Sequence, residues 1–239
     1  MTSSVYKRFG LMLFCAAMVV ICDNYSQAFS ANILIDPGHS PKLPGAIGCS
    51  GNPEYRYNAI LATKIATHLQ KLGFKVSMTK SLESEISLSD RTLKSKGKDL
   101  FLSIHHDSVQ PQFIIHKSDG GFCSTKAKGF SIFISRTNRY FRESLNYAHK
   151  LGAALVKKGL CPTHHHAEKI LGENRHLHDP TLGIYFFDNL AVLKNAESPA
   201  ILLEAAVIVN PVDETRAASD EYQSVIVESV EEMLVSRNN

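Results

Sequence analysis

Past residue 28 the chain has no apolar run long and charge-free enough to cross a bilayer, so no stable membrane anchor is expected there. It also lacks a basic stripe. With Lys7, Arg8 and Asp23 of the N-terminal segment set aside, 24 basic residues face 22 acidic ones. That near balance does not suit a nucleic-acid binder. No internal repeat, low-complexity tract or linker to a second domain interrupts the sequence, and its length suits one domain with a sizeable core. Cysteine is scarce: five in all, with only Cys49, Cys123 and Cys161 beyond residue 28.

What is present begins with an export signal. Lys7 and Arg8 precede an apolar stretch at 11–21 that is too short to span a membrane comfortably, and Ser26-Gln27-Ala28 fits a small-x-small cleavage site. Residues 1–28 are therefore expected to be a signal peptide and 29–239 a single catalytic domain. Cys22 follows Ile21 rather than a small residue, which argues against a lipid anchor. Export would place the remaining cysteines in an oxidising compartment. Cys123–Cys161 is the expected pair, because both fall in one long, variable-looking region.

Strand-like and helix-like segments alternate. Residues 32–36, 74–79, 100–104, 129–135, 182–187 and 199–204 read as strands. Helices are expected at 52–72, with Asn52 as cap, Pro53 at the first position and Gly73 as terminator, and also at 87–96, 140–158 and 222–235. The predicted fold is a single α/β domain, with a mostly parallel central sheet of about six strands flanked by helices on both faces. The stretches 106–128 and 161–181 read as irregular.

Three of the apolar runs end in residues that can bind a metal or move a proton: His39 after Asp36-Pro37-Gly38, His105 after Leu100–Ile104, and Glu204 after Pro199–Leu203. Ligands bind outside the carboxyl ends of strands in open α/β sheets, so the three could converge on one site. His106 should point to the opposite face from His105, and the sequence leaves open which of the two joins the site. Glu204 lies in an apolar run where an unpaired carboxylate would cost several kcal/mol, so it needs a charged partner or a metal site. Glu54, taken alone, is a carboxylate complementing a helix N-terminus. Two histidines and a carboxylate make a catalytic zinc set, with a further carboxylate as general base. The spacing is not that of the helical His-Glu-x-x-His peptidases.

The order of these blocks resembles the zinc-dependent N-acetylmuramoyl-L-alanine amidases of the amidase-3 type, bacterial cell-wall amidases. The resemblance rests on Ile33-Leu34-Ile35-Asp36-Pro37-Gly38-His39, the Gly-rich loop leading to Glu54, Ser87-Leu88-Ser89-Asp90-Arg91, Phe101-Leu102-Ser103-Ile104-His105, and Pro199–Glu204 followed by Asn210–Glu214. It implies one zinc ion per chain held by His39, Glu54 and His105, with Glu204 as the catalytic base. It also implies a peptidoglycan substrate cut between the lactyl group of N-acetylmuramic acid and L-alanine, and a role in septal wall splitting and daughter-cell separation. The chain departs from the family pattern at His106-Asp107, where Ala-Asn often stands, and at Ala205–Val209. A zinc carboxypeptidase on other exported peptides and an inactive zinc-containing wall-binding module are the alternatives. Localisation is expected to be periplasmic.

The segment 160–181 is more His-rich than a minimal member needs. His164-His165-His166 reads as an exposed loop without metal. The resemblance also implies a self-inhibited form, in which Glu168 or Glu173 would lie on the zinc until a protein activator removed it.

Overall fold

Short apolar runs separated by helices give this chain a seven-stranded sheet. The computed structural model describes residues 31–236 except 82–83, 117 and 119–120, so the expected signal peptide at 1–28 lies outside the described residues. The strands are β1 (Asn32–Pro37), β2 (Lys75–Met78), β3 (Leu100–Asp107), β6 (Ser131–Ile134), β7 (His176–Asp179), β8 (Ile184–Phe186) and β9 (Ala200–Val207), with β4 (Ile115–His116) and β5 (Phe122–Cys123) forming a separate small hairpin. Their order is β2-β1-β3-β9-β6-β8-β7. β1 pairs in parallel with β2 and β3, as do β3 with β9 and β6 with β8, while β6–β9 and β7–β8 are antiparallel. Beyond the expected six strands, the main sheet gains β7, inside 161–181, while β4 and β5 fall in 106–128; both segments read as irregular from sequence. The β7 residues His-Leu-His-Asp alternate without an apolar run, and β7 sits at the sheet edge, where burial on both faces is not required.

The helices are α1 (Glu54–Lys71), α2 (Leu88–Leu93), α3 (Phe141–Lys157), α4 (Ala191–Lys194), α5 (Pro211–Ala217) and α6 (Asp220–Val235). α1 starts where expected, but Asn52 does not cap it. Its amide donates to Ser50 Oγ at 2.9 Å, and Pro53 holds the cap position without a side-chain bond. Gly73, at φ 91°, ends α1 in the left-handed region that glycine tolerates best. Ser87 caps α2 as expected, accepting from the Asp90 N–H.

The two faces of the sheet are covered unequally, and this positions the site. Odd residues of β1 and even residues of β3 (Ile33, Ile35, Leu100, Leu102, Ile104) join Ile132, Ile134, Ile201 and Leu203 in one core, under the long helices α1, α3 and α6. The opposite face carries Leu34, Phe101, Phe133, Tyr185 and Leu202 under α4, which is only four residues long. α2, six residues long, packs beside α4. Helices this short leave that face open at the carboxyl ends of the strands, where a cleft of about 620 Å³ lies.

The disulfide differs from expectation. Cys49 pairs with Cys123, with Cα atoms 4.7 Å apart, while Cys161 is exposed and unpaired. The cause is a long-range juxtaposition. The Cys49 N–H donates to the Ile208 carbonyl at 3.0 Å and the Ser124 N–H to the Val209 carbonyl at 2.8 Å, so both loops are sewn to the chain just past β9. Cys161 sits elsewhere, in the turn after α3, where its carbonyl accepts from the Phe130 N–H.

Candidate metal centre

β1, β3 and β9 are neighbours, and their carboxyl ends present the residues singled out from sequence. His105 and Glu204 are paired in register on β3 and β9. Alternation puts both on the thinly covered face, because they follow Phe101–Ser103 and Ala200–Leu202 in the period of two. His39, His105 and Glu204 all line the cleft. Glu54 reaches them from the first turn of α1.

Glu54 is the hub. Its Oε2 lies 3.2 Å from His39 Nε2 and its Oε1 3.0 Å from His105 Nδ1. The two imidazole centroids are 5.0 Å apart, edge to face. Backbone and side-chain donors fix the carboxylate: the Ala46 N–H at 2.9 Å, Asn58 Nδ2 at 3.0 Å and the His106 N–H at 3.2 Å. Burial pushes this carboxyl up, but the hydrogen bond and charge of His105, the charge of His39 and the Asn58 amide outweigh it, leaving a pKa of about 2. Burial is the main reason the His39 imidazole is lowered.

Two backbone features make room for this cluster. A Cβ on Gly38 would stand 2.3 Å from the His105 ring, and one on Gly45, at φ 76°, would stand 2.3 Å from Glu54 Oε2. His39 itself has φ 59°, a left-handed conformation that costs a non-glycine residue of order 1–3 kcal/mol and is held only by its surroundings. Its carbonyl accepts from Lys80 Nζ. Behind the loop, Asp36 is fully buried and accepts from Arg91 Nη1 at 2.7 Å, Thr79 Oγ1 at 2.6 Å and Ser103 Oγ at 2.8 Å. Arg91 also donates to the Pro37 carbonyl at 3.1 Å. The aspartate and arginine of two separate sequence blocks are thus one buried pair that positions the His39 loop.

His106 does not join the cluster. It points under α1, buried at 3 % exposure, with Nδ1 2.8 Å from Asn58 Oδ1. Burial, chiefly, lowers its pKa to about 4. Its backbone N–H, not its ring, contributes to the centre.

Glu204 stands apart from the three. Its Oε2 is sealed from water and has no hydrogen-bond partner among the described residues. Burial, then the charges of Asp107 and Glu54, raise this carboxyl well above the ordinary range. Such a carboxyl exchanges its proton at a higher pH than an ordinary glutamate, which suits proton transfer better than the role of a fixed anion. Two imidazoles and an ionised carboxylate with donor atoms about 3 Å apart, beside an enclosed and unpartnered carboxyl, fit a divalent metal of the zinc type.

The segment 160–181 differs from its sequence reading. His165 and His166 are buried at 6 % and 7 % exposure; only His164 is exposed. They were illegible because no apolar run surrounds them. Neither candidate inhibitory glutamate is bonded to His39, Glu54 or His105. Glu168 pairs with Lys126 at 3.0 Å, and Glu173 is bound by His166 and Gln110.

Fold and site together define an α/β protein with a two-histidine, one-glutamate centre and a separate, half-buried glutamate on the adjoining strand. Residues 33–236 match the N-acetylmuramoyl-L-alanine amidase family, Amidase_3, and the chain belongs to that family. It is 27% identical over 225 residues to the N-acetylmuramoyl-L-alanine amidase AmiC of Neisseria meningitidis serogroup B, an alignment covering 83% of this chain and 50% of AmiC. It is 27% identical over 203 residues to the probable cell wall amidase LytH of Staphylococcus aureus, covering 83% and 55%. The chain thus spans about half the length of these curated relatives. Among solved structures, an N-acetylmuramoyl-L-alanine amidase from Clostridium difficile 630 shares the fold with a TM-score of 0.66 at 20% identity, covering 86% of this chain and 95% of that one.

Proposed function

We propose that this chain hydrolyses peptidoglycan at the amide between the lactyl group of N-acetylmuramic acid and the L-alanine of the stem peptide. His39, Glu54 and His105 would hold a zinc ion, and Glu204 would be the catalytic base. The observation that carries the reading is the placement of Glu204 Oε2: enclosed, unpartnered, and in register with His105 on the adjoining strand. When bound at the three ligands, zinc supplies Lewis acidity toward a carbonyl and makes water nucleophilic at neutral pH.

The chain's own residues do the rest. Glu204 takes a proton from the attacking water and later gives one to the departing L-alanine amine. The Asn58 amide and the Ala46 N–H keep Glu54 ionised and fixed, so that it remains a ligand rather than a competing base. Phe133, Leu190 and Phe187 give the cleft an apolar wall that limits water, and Arg175, stacked 3.9 Å over the Phe187 ring, supplies a cation for an anionic substrate group.

The disulfide supports export, since Cys49–Cys123 would persist in an oxidising compartment such as the periplasm. Septal wall splitting is the cellular role this activity would serve. The test is Glu204→Gln. It should lower release of stem peptides by roughly 10²–10⁴-fold while retaining zinc at the wild-type level. Near-full activity would overturn the assignment of the base.

A further inference from the structure

A second cluster shares the cleft. Asp107 ends β3 two residues past His105, where the register against β9 shifts. His165 and His166 stand on a single 3-10 turn at His165–Ala167, with ring centroids 3.9 Å apart. Nε2 of His166 lies 2.7 Å, and Nε2 of His165 3.3 Å, from the same Asp107 Oδ2. The Ser108 carbonyl oxygen is 3.2 Å from His165 Nε2. The other nitrogen of each ring has its own partner: His165 Nδ1 lies 2.9 Å from Thr163 Oγ1, and His166 Nδ1 2.9 Å from Glu173 Oε2. Gln110 Nε2 in turn donates to Glu173 Oε1 at 2.8 Å.

We propose that Asp107, His165 and His166 form a second site for a divalent transition-metal ion, separate from His39, Glu54 and His105, with the Ser108 carbonyl at its edge. Three observations carry this. First, both Nε2 atoms converge on one carboxylate oxygen. Adjacent donors about 3 Å apart are what bonds of about 2.1 Å produce when roughly perpendicular. Second, each ring is oriented from behind through Nδ1, in one case by a carboxylate that is itself hydrogen-bonded. That outer arrangement directs the opposite ring nitrogen, as a lone pair, at a metal. Third, His165 Nε2 is within reach of two oxygens at once, Asp107 Oδ2 at 3.3 Å and the Ser108 carbonyl at 3.2 Å, so nitrogen and oxygen donors surround one point. Imidazole with carboxylate suits zinc, manganese or ferrous iron rather than calcium or magnesium. Because Asp107 and His166 line the same cleft as His39, His105 and Glu204, the second ion would border the same substrate space.

The inference does not require the amidase reading, since it is read by metal count rather than turnover. The full chain is stripped with chelator, equilibrated with buffered micromolar Zn²⁺, freed of loose metal by gel filtration and assayed by elemental mass spectrometry. Wild type should carry two zinc ions. His166→Gln should halve the count and keep the ion at His39, Glu54 and His105. The double variant His39→Gln/His105→Gln should keep the other. Glu173→Gln should retain the second site with its affinity weakened roughly 10–100-fold. One zinc per wild-type chain, kept in His166→Gln and lost in the double variant, would overturn the proposal and leave the cluster satisfied by protons alone. Should His166→Gln fail to give the wild-type circular dichroism spectrum, the double variant decides: a retained zinc supports the site, and none overturns it.

Discussion

Single residues of this chain trade stability for a poised site. Glu204 is the clearest case. In the metal-free chain its raised pKa means that the folded state holds a proton that the unfolded state releases near the ordinary glutamate value of about 4.3. Stability is therefore lost as pH rises from that value toward the raised one. Chelator-treated Glu204→Gln should melt several degrees above chelator-treated wild type at pH 8, and the gap should close at pH 4. Equal melting temperatures at pH 8 would show that the buried carboxyl carries no such cost. Asp36 and Arg91 illustrate the converse. Arg91→Ala would leave a buried aspartate charge unpaired and should cost about 3–5 kcal/mol in urea denaturation. The His39 loop would lose its anchor at the Pro37 carbonyl in the same step.

At the scale of elements, legibility followed burial on both faces. β1, β3 and β9 read plainly because each opens on an apolar run that few polar residues interrupt: Asp36 in β1, Ser103 ahead of His105 in β3, and Glu204 in β9. α1 read plainly from Leu61, Ile65, Leu69 and Leu72 at helical spacing, of which the first three are fully buried and Leu72 half-buried. Edge elements did not. β7 has no apolar run, and His165 and His166 are buried by loop packing, not by periodicity. The choice between His105 and His106 needed one further fact, namely which face of β3 the long helices cover. The cysteine pairing was illegible because hydrogen bonds to Ile208 and Val209, far along the chain, bring Cys49 and Cys123 together. That link closes a loop with a sequence separation of 74 and ties the Gly-rich loop to the end of β9. Replacing both cysteines by alanine should lower stability by about 2–4 kcal/mol, as measured by denaturant midpoint. Replacing Cys161 should change it little.

For the molecule as a whole, the asymmetry of the sheet is what makes a site. Three long helices seal one face, while a four-residue and a six-residue helix leave the other open where three strands end. Among the described residues no helix is long and apolar enough to cross a membrane. His39, His105, Asp107, His166 and Glu204 are among the titratable side chains that line one cleft of about 620 Å³. Such a concentration fits hydrolytic chemistry on a large polar substrate better than it fits passive wall binding. The most direct measurement is mass spectrometry of purified sacculi digested with the zinc-loaded chain. The expected result is stem peptides that begin with a free L-alanine amine, together with glycan freed of peptide, and both products lowered roughly 10²–10⁴-fold with Glu204→Gln. Peptides that lose only C-terminal D-alanine, or sacculi left intact by the wild-type chain, would contradict it.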